Sequence, residues 1–540
     1  MPPVGGQKNF WRLDFARFES DWKGISMIAF IIRRLGVLFL ILFGSSFILY
    51  NLTAITGDPI GDLRFSSDPE VQAQIEELER FLRLDVPPPL RYFIWLRGVL
   101  GIFTGNPDFG ATRLRTPVID EISAAMPITI RLVIFATIFA IIVGIALGIV
   151  TALRQYSRFD YSMTFVAFLL FSLPIFWVAV LLKQYLAIQF NTFLADPSVT
   201  IPWKLGLGLV GGLFWGALFG RTRAGFWKAF IGVFVGTFIA LTFIDQANWF
   251  LDPALGPVLI GLLSVGIAFG ITYLSTGLNN KAALYSSLTM APLTVISYFV
   301  VSSSLNSSSS IPQLLRYALI TVAVSVAVSF LFARIDRGPV IRTTILTGLL
   351  SAHLIVVDKF MQTWKPYMED GAVNFRPIPT LGQAKELLPQ NEFWISTLDI
   401  LIHLFLPTIA LTLISFAGYI RYSRGTLLEV LNQDYIRTAR AKGLTERTVI
   451  MRHAFRNTLI PLTTIMVVDF AGIVGGAIIT ERVFGWYGMG TLFNRAITTQ
   501  DLNLLMGVFF ITASLAVIAN LIADLLYSAL DPRIRVGSGK

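Results

Sequence analysis

Apolar and polar stretches alternate along this chain at a spacing set by lipid. A bilayer-crossing helix needs about 20 mostly apolar residues, and runs near that length recur at 25–52, 127–152, 161–182, 205–220, 228–244, 254–274, 282–302, 313–333, 340–357, 399–420, 461–480 and 504–529. The pattern predicts an all-α polytopic membrane protein of twelve spans. The run at 205–220 is short and rich in glycine, which leaves a re-entrant helix as its alternative. The first run is too long for a signal segment and no small-residue cleavage site follows it, so it is expected to stay as a helix.

The polar links orient the spans. Segment 51–126 holds eleven acids against seven bases and is expected outside. Arg154 and Arg158, then Arg221, Arg223 and Lys228, then Lys281, then Arg334, Arg337 and Arg342 fall on alternate links, which places those links inside. Arg533 and Arg535 put the C-terminal tail inside, and twelve spans put the N-terminus there too. Trp11, Phe15, Phe18 and Trp22 form a helical stripe among charged residues, which predicts that residues 1–26 lie along the membrane surface as a topology anchor. A helix is expected over 68–84, with Ser67 as its cap, Pro69 in its first turn and Pro87, Pro88 and Pro89 as its stop.

Composition agrees: of 540 residues 54% are hydrophobic and only 14% charged, which excludes large soluble enzyme domains. The formal charge of +10, from 43 basic and 33 acidic residues, reflects basic internal links rather than nucleic-acid binding. No cysteine is present, so thiolate chemistry and disulfides are absent. No GxxxxGK string is present to cradle phosphates, so the chain is not expected to hydrolyse ATP itself. His353, His403 and His453 are isolated, and neither a catalytic centre nor a metal site is expected. His403 reads as a helix-packing residue.

One link stands out. Residues 421–456 carry eight Lys or Arg against three acids, yet Leu427, Leu428, Val430, Leu431, Ile436 and Ala439 recur at helical intervals. Gly443 followed by Thr445 reads as a helix stop and a new N-cap, giving two short helices on the inner face. The residues alone allow two readings, a rigid element that docks in a soluble partner or a solvated basic turn.

The string through Tyr435, Arg437, Ala439, Ala441, Lys442, Gly443, Arg452, His453, Arg456, Asn457 and Pro461 resembles the EAA loop of binding-protein-dependent ABC importer permeases, in its dipeptide and oligopeptide branch. Arg437-Thr438-Ala439 stands where the general pattern has Glu-Ala-Ala. The start IRRLGVLFLILFGSSFILYNLTAITGDP, the outer LRLDVPPPLRYFIWL and PDFGATRLRTPV, the turn ERVFGWYGMG and the ending NLIADLLYSALDPRIR are similar to the same family. Arg83 takes a position where the family usually has Gly, and Tyr487 one where it usually has Pro. The likeness covers roughly 28–193 and 398–537; residues 205–357 lie outside it.

The resemblance implies a six-helix type I ABC importer permease core with about six inserted transmembrane helices in a prokaryotic inner (plasma) membrane. Its parts would be a first core half at 27–200, an inserted bundle at 201–360, an external segment at 361–398 and a second core half at 399–540 with a cytoplasmic coupling loop at 421–460. It also implies the partners: a second homologous permease subunit, two ATPase subunits or one fused dimer, and an external substrate-binding protein. ATP and Mg would sit on the ATPase subunits, with no cofactor bound by this chain. The inserted helices lie outside the resemblance and read as a peripheral bundle, with binding to an accessory subunit or lipid as the alternative.

Asp469 falls mid-span, where an ionised carboxylate costs roughly 3 kcal/mol or more unless paired or hydrated. Gly472 and Gly476 follow on the same helical face. The stripe predicts either a wall of the translocation pathway meeting peptide, or a hydrogen-bonded helix interface. Asp524 reads as structural. An ion-coupled secondary transporter would also suit twelve spans and a buried carboxylate but gives no reason for the 435–461 loop. A noncatalytic membrane scaffold is argued only by the extra helices.

Overall fold

The structure, a computed structural model, describes residues 27–530 apart from 62, 66, 67, 221, 308, 334–336 and 390. The expected surface helix at the N-terminus and the tail arginines lie outside these residues; so does Ser67, and the helix it was expected to cap is capped instead by Asp68, whose side chain accepts from the Glu70 N–H at 3.0 Å. The chain is a multi-pass membrane protein and, among the described residues, contains no β-strand beyond an isolated Ala111–Pro117 bridge. Among the described residues ten helices are long and apolar enough to cross a membrane, and one bent pair brings the number to eleven. The remaining expected span, near 461–480, falls on helix Phe455–Gly476.

Two compact units emerge, Met1–Val180 with Pro407–Lys540, and Leu181–Leu406. The first begins with α1 (Met27–Thr56), α2 (Pro69–Phe81), α3 (Pro88–Val99), α4 (Val118–Leu153) and α5 (Arg158–Ser172). α4 starts nine residues before the expected 127 because Pro127 is carried inside it rather than marking its edge. α2 ends at Phe81, short of the expected 84, because Arg83 adopts φ +53° and the Leu84 N–H closes back on the Glu79 carbonyl.

The third expected span is not straight. Arg158–Ser172 and Ile175–Phe193 meet at 103°. Pro174 lacks an N–H and disfavours helical geometry in the residue before it, and Leu173 is accordingly extended at φ −83°, ψ 131°. α6 (Ile175–Leu182) then runs into a π-helical stretch, Lys183–Gln189.

The second unit is built from α7 (Ile201–Phe219), α8 (Arg223–Gln246), α9 (Gly256–Ser275), α10 (Lys281–Ser307), α11 (Ile311–Phe332) and α12 (Arg337–Glu369). α7 and α8 form a close hairpin in which Gly208, Gly212 and Gly216 lie against Phe234, Phe230 and Phe226. Its open end is tied by Lys204 Nζ to Asp245 at 2.8 Å. Buried Asp358 on α12 accepts from the N–H groups of Leu255 and Gly256 at 2.6 and 3.1 Å, capping the start of α9. Tyr367 and the Lys385 N–H both donate to Asp399 at 2.8 Å, and His403 Nδ1 lies 2.8 Å from the Asp399 carbonyl. His403 thus works inside a buried structural network.

α13 (Phe393–Leu431) is longer at both ends than the expected 399–420. Leu427, Leu428, Val430 and Leu431 are its own last turns, not a separate helix of the basic link. The first unit closes with α14 (Asp434–Ala441), α15 (Phe455–Gly476), α16 (Ile478–Phe484), α17 (Met489–Thr498) and α18 (Leu502–Leu530). Within it α18 packs on α15 and α1, and α4 packs on α15, α17 and α18.

Candidate functional site

The turn after α13 is short because α14 begins again at Asp434. Its Ile436 and Ala439, one turn apart, point inward onto Ala152, Leu427, Val449 and Ala454. The same periodicity leaves Tyr435, Arg437, Ala441 and Lys442 exposed. Arg437 reaches Asp434 at 3.5 Å. Gly443 reverses the chain at φ +75°, a backbone state that costs other residues about 1–2 kcal/mol. No atom lies within 4 Å of where its Cβ would be, so the glycine serves backbone conformation and not close packing.

Thr445 then caps the next turn, its Oγ1 accepting from the Thr448 N–H at 3.4 Å. A single turn, Glu446–Thr448, and a π-helical stretch, Val449–Ala454, lead directly into α15. Arg440 closes the glycine turn by donating from Nη2 and Nε to Glu446 at 2.7 and 3.2 Å. That bond holds the Glu446 carboxyl below its usual range. Asn457 Nδ2 donates to the Tyr435 hydroxyl at 2.8 Å. Arg452 and Arg456 are exposed, His453 is half-buried, and Pro461 lies within α15. The element is therefore a helix, a glycine turn and a second helix seated on an apolar base, with its basic side chains facing away.

A second brace lies beneath it. Asp160, almost fully buried and 2% exposed, accepts from Arg424 on α13 at 2.8 and 2.9 Å and from the Tyr156 N–H at 3.0 Å. Ala152 in the apolar base is near the end of α4, whereas Val118 begins that helix. At 1.5 Å per residue the 36-residue α4 puts about 54 Å between its ends.

The Val118 end carries a different chemistry. Glu481, fully buried, accepts from Thr129 Oγ1 at 2.6 Å and from the Thr491 N–H at 2.8 Å, while Thr129 accepts from the Met489 N–H at 2.8 Å. Burial pushes the Glu481 carboxyl up. Asp501 is also buried and raised for the same reason, with the N–H groups of Arg113 and Leu504 on its two oxygens. Tyr487 accepts from Arg495, which also reaches Glu121 at 3.1 Å.

Asp469 lies on an exposed face of α15 in this single chain. Buried Tyr419 of α13 is within its electrostatic reach, although the Tyr419 hydroxyl has no aligned hydrogen-bond partner. Gly472 and Gly476 follow on α15.

Residues 345–536 match the family described as "Binding-protein-dependent transport system inner membrane component". The match starts inside α12, well before 399, and takes in α13 through α18 with the whole Gly443 element. The chain is 46% identical over 138 residues to the oligopeptide transport system permease protein OppB of Mycobacterium tuberculosis, covering 26% of this chain and 42% of that protein. It is 46% identical over 132 residues to the oligopeptide transport system permease protein AppB of Bacillus subtilis, covering 24% and 42%. It is 41% identical over 138 residues to the dipeptide transport system permease protein DppB of Escherichia coli, covering 26% and 41%. The chain spans less than half the length of these relatives.

In this matched region the glycine turn, the Thr445 cap and the inward Ile436 and Ala439 were all signalled by residue type and spacing. The Asp160–Arg424 brace was not. Its only sequence signal is an acid inside a link otherwise marked by Arg154 and Arg158. Glu481 and Thr129, 352 positions apart, leave no local pattern at all.

Proposed function

We propose that the chain is a translocation subunit of an ATP-driven importer, forming half of a pathway for peptides or related small solutes. The observation that carries this reading is the exposed basic element around Gly443, held rigid by the Ile436–Ala439 base and the Arg440–Glu446 fork, at the far end of α4 from the acidic segment 51–126. A rigid body outside the spans and continuous with α15 transmits a push into the spans.

In this reading the element docks on an ATPase subunit, and two such subunits, or one fused dimer, bind ATP and Mg and close on it. A second homologous permease chain completes the pathway. Its presence answers the exposed Asp469, because a carboxylate facing lipid is costly and one facing a partner or water is not. A binding protein outside delivers solute onto segments 51–126 and 358–397. The closing of the ATPases selects between two arrangements of the gripped helices, which gives alternating access.

The test is to purify the chain from its host and identify what comes with it. An ATPase and a second permease are expected, and their absence overturns the reading. Gly443→Trp in the assembled transporter should retain ATP hydrolysis and lose uptake, because the space around Gly443 is open within this chain. Gly443→Asn, which tolerates positive φ, serves as the folded control and should transport. Normal uptake by Gly443→Trp counts against docking. Asp469→Asn should reduce uptake, and unchanged uptake ends its pathway role.

A further inference from the structure

At the end of α4 away from the Gly443 element, a cavity of about 290 Å³ opens between the end of α1, the start of α3 and the loop before α18. Its polar lining contains two carboxylates that are already used. Asp58 pairs with Arg64 at 3.3 Å and accepts from the Ile60 N–H at 3.2 Å. Asp501 holds the backbone N–H groups of Arg113 and Leu504 at 2.7 and 3.1 Å.

Arg91 on α3 lines the same cavity and has no such partner. It is 9% exposed, and its buried Nε meets no acceptor among the described residues. A buried guanidinium without an acceptor is costly, and its planar fork matches a carboxylate in two bonds. Among the described residues no carboxylate pairs with Arg91, and since its Nε is closed off from solvent, the end of the guanidinium that lines the cavity is where an acceptor from solution would bind. Beside the polar Arg64, Arg113, Gln500 and Asn503, the lining includes Leu82, Leu84, Pro88 and the Tyr50 ring, which suit a side chain attached next to that carboxylate. The volume fits a terminal residue and not a protein surface.

We propose that this cavity is a subsite for the C-terminal carboxylate of a small peptide, with Arg91 as its counter-ion. The assignment rests on the importer reading for the source of the peptide. Loading through this subsite would hold the solute by its carboxyl end at the outer mouth.

The test uses the assembled transporter in phosphatidylcholine nanodiscs, titrated calorimetrically with dileucine and with dileucine amide. A charge-assisted pair at Arg91 is expected to favour the free acid by about tenfold or more. Arg91→Gln should reduce dileucine to the affinity of the amide, and Arg91→Lys should keep part of the preference. Excess acetate should displace dileucine and leave the amide in place. Equal binding of the two probes by the wild type overturns the proposal, as does a preference that survives Arg91→Gln. A preference found only when an external binding protein is docked overturns it too, since the carboxylate would then be read elsewhere. If Arg91→Gln fails to assemble, the wild-type pair of probes, the acetate competition and Arg91→Lys decide. Uptake of dileucine and recovery of the ATPase are measured in parallel. Intact uptake without an acid preference removes this subsite alone, whereas a chain that brings no ATPase removes the importer reading.

Discussion

Asp160 and Arg424 are joined by two parallel hydrogen bonds, Oδ1 accepting from Nε at 2.8 Å and Oδ2 from Nη2 at 2.9 Å, across 264 positions of sequence. The pair pins the last turns of α13, which carry Leu427 and then α14, to the link between α4 and α5. Asp160 is 2% exposed in its side chain and Arg424 29%, so water screens one partner only. Asp160→Asn should destabilise the detergent-extracted protein by about 2–3 kcal/mol, since it strips the charge from the buried side and leaves Arg424 unanswered. Adding Arg424→Met should recover part of the loss. A melting temperature equal to wild type in the single variant would show that the fork contributes nothing.

Gly148 and Gly418 form a matched pair. A Cβ on Gly148 of α4 would run into Ser423 Oγ and lie 2.8 Å from the Ile420 carbonyl, whereas nothing stands within 4 Å of one on Gly418 of α13. Gly148→Ala should force α4 and α13 apart and destabilise the protein by about 1–3 kcal/mol. Gly418→Ala should be neutral or stabilising by up to about 1 kcal/mol, through helix propensity alone. Thermal melts of the two variants in one detergent decide this, and equal shifts would mean that Gly148 does not set the approach of the helices.

Arg83 holds φ +53° after α2, at the position where the resembled family usually has glycine. Its side chain is exposed, so nothing obvious repays the strained backbone. Arg83→Gly should raise stability by about 1 kcal/mol, since left-handed geometry costs a residue with a Cβ roughly that much or more. An unchanged or lower melting temperature would assign Arg83 a contact that outweighs the strain.

These elements also separate what was legible in the sequence from what was not. The spans follow from apolar run length, and the Gly443 turn from a glycine, a threonine and two inward apolar residues within one short stretch. Both are local patterns. The span expected at 127–152 was set by apolar run length and so began late, since α4 starts at Val118 and carries Pro127 inside it, and the bend at Pro174 was missed altogether. The same residue type breaks a helix or rides within it according to what packs around it. Asp160 with Arg424, and Glu481 with Thr129, are pairings made by packing between distant helices, and no single-chain periodicity encodes them. Arg91 was invisible for a further reason, since its reading depends on the cavity that α1, α3 and the loop before α18 form around it.

Glu481 should give the protein a distinct pH response. Its carboxyl is fully buried between Thr129 and the Thr491 N–H, and burial holds its ionisation above the ordinary carboxylate range despite those donors. A folded-state value above the unfolded one means that the folded protein binds this proton more tightly than the unfolded chain does. The associated stability is present in full below the unfolded carboxylate range and is lost as pH rises through the folded value. Asp501, raised by the same cause, adds a slope of the same sign. Melting temperature should therefore fall as pH is taken from mildly acidic toward neutral. Glu481→Gln cannot ionise and should flatten that fall, leaving the part owed to Asp501. It also gives up one acceptor, because the amide nitrogen cannot take the Thr491 N–H, so its absolute stability is not the readout. The slope is. A wild-type melting temperature that rises over this interval, or a Glu481→Gln slope equal to wild type, would mean that the buried carboxyl is ionised throughout and is held by Thr129 and Thr491 alone.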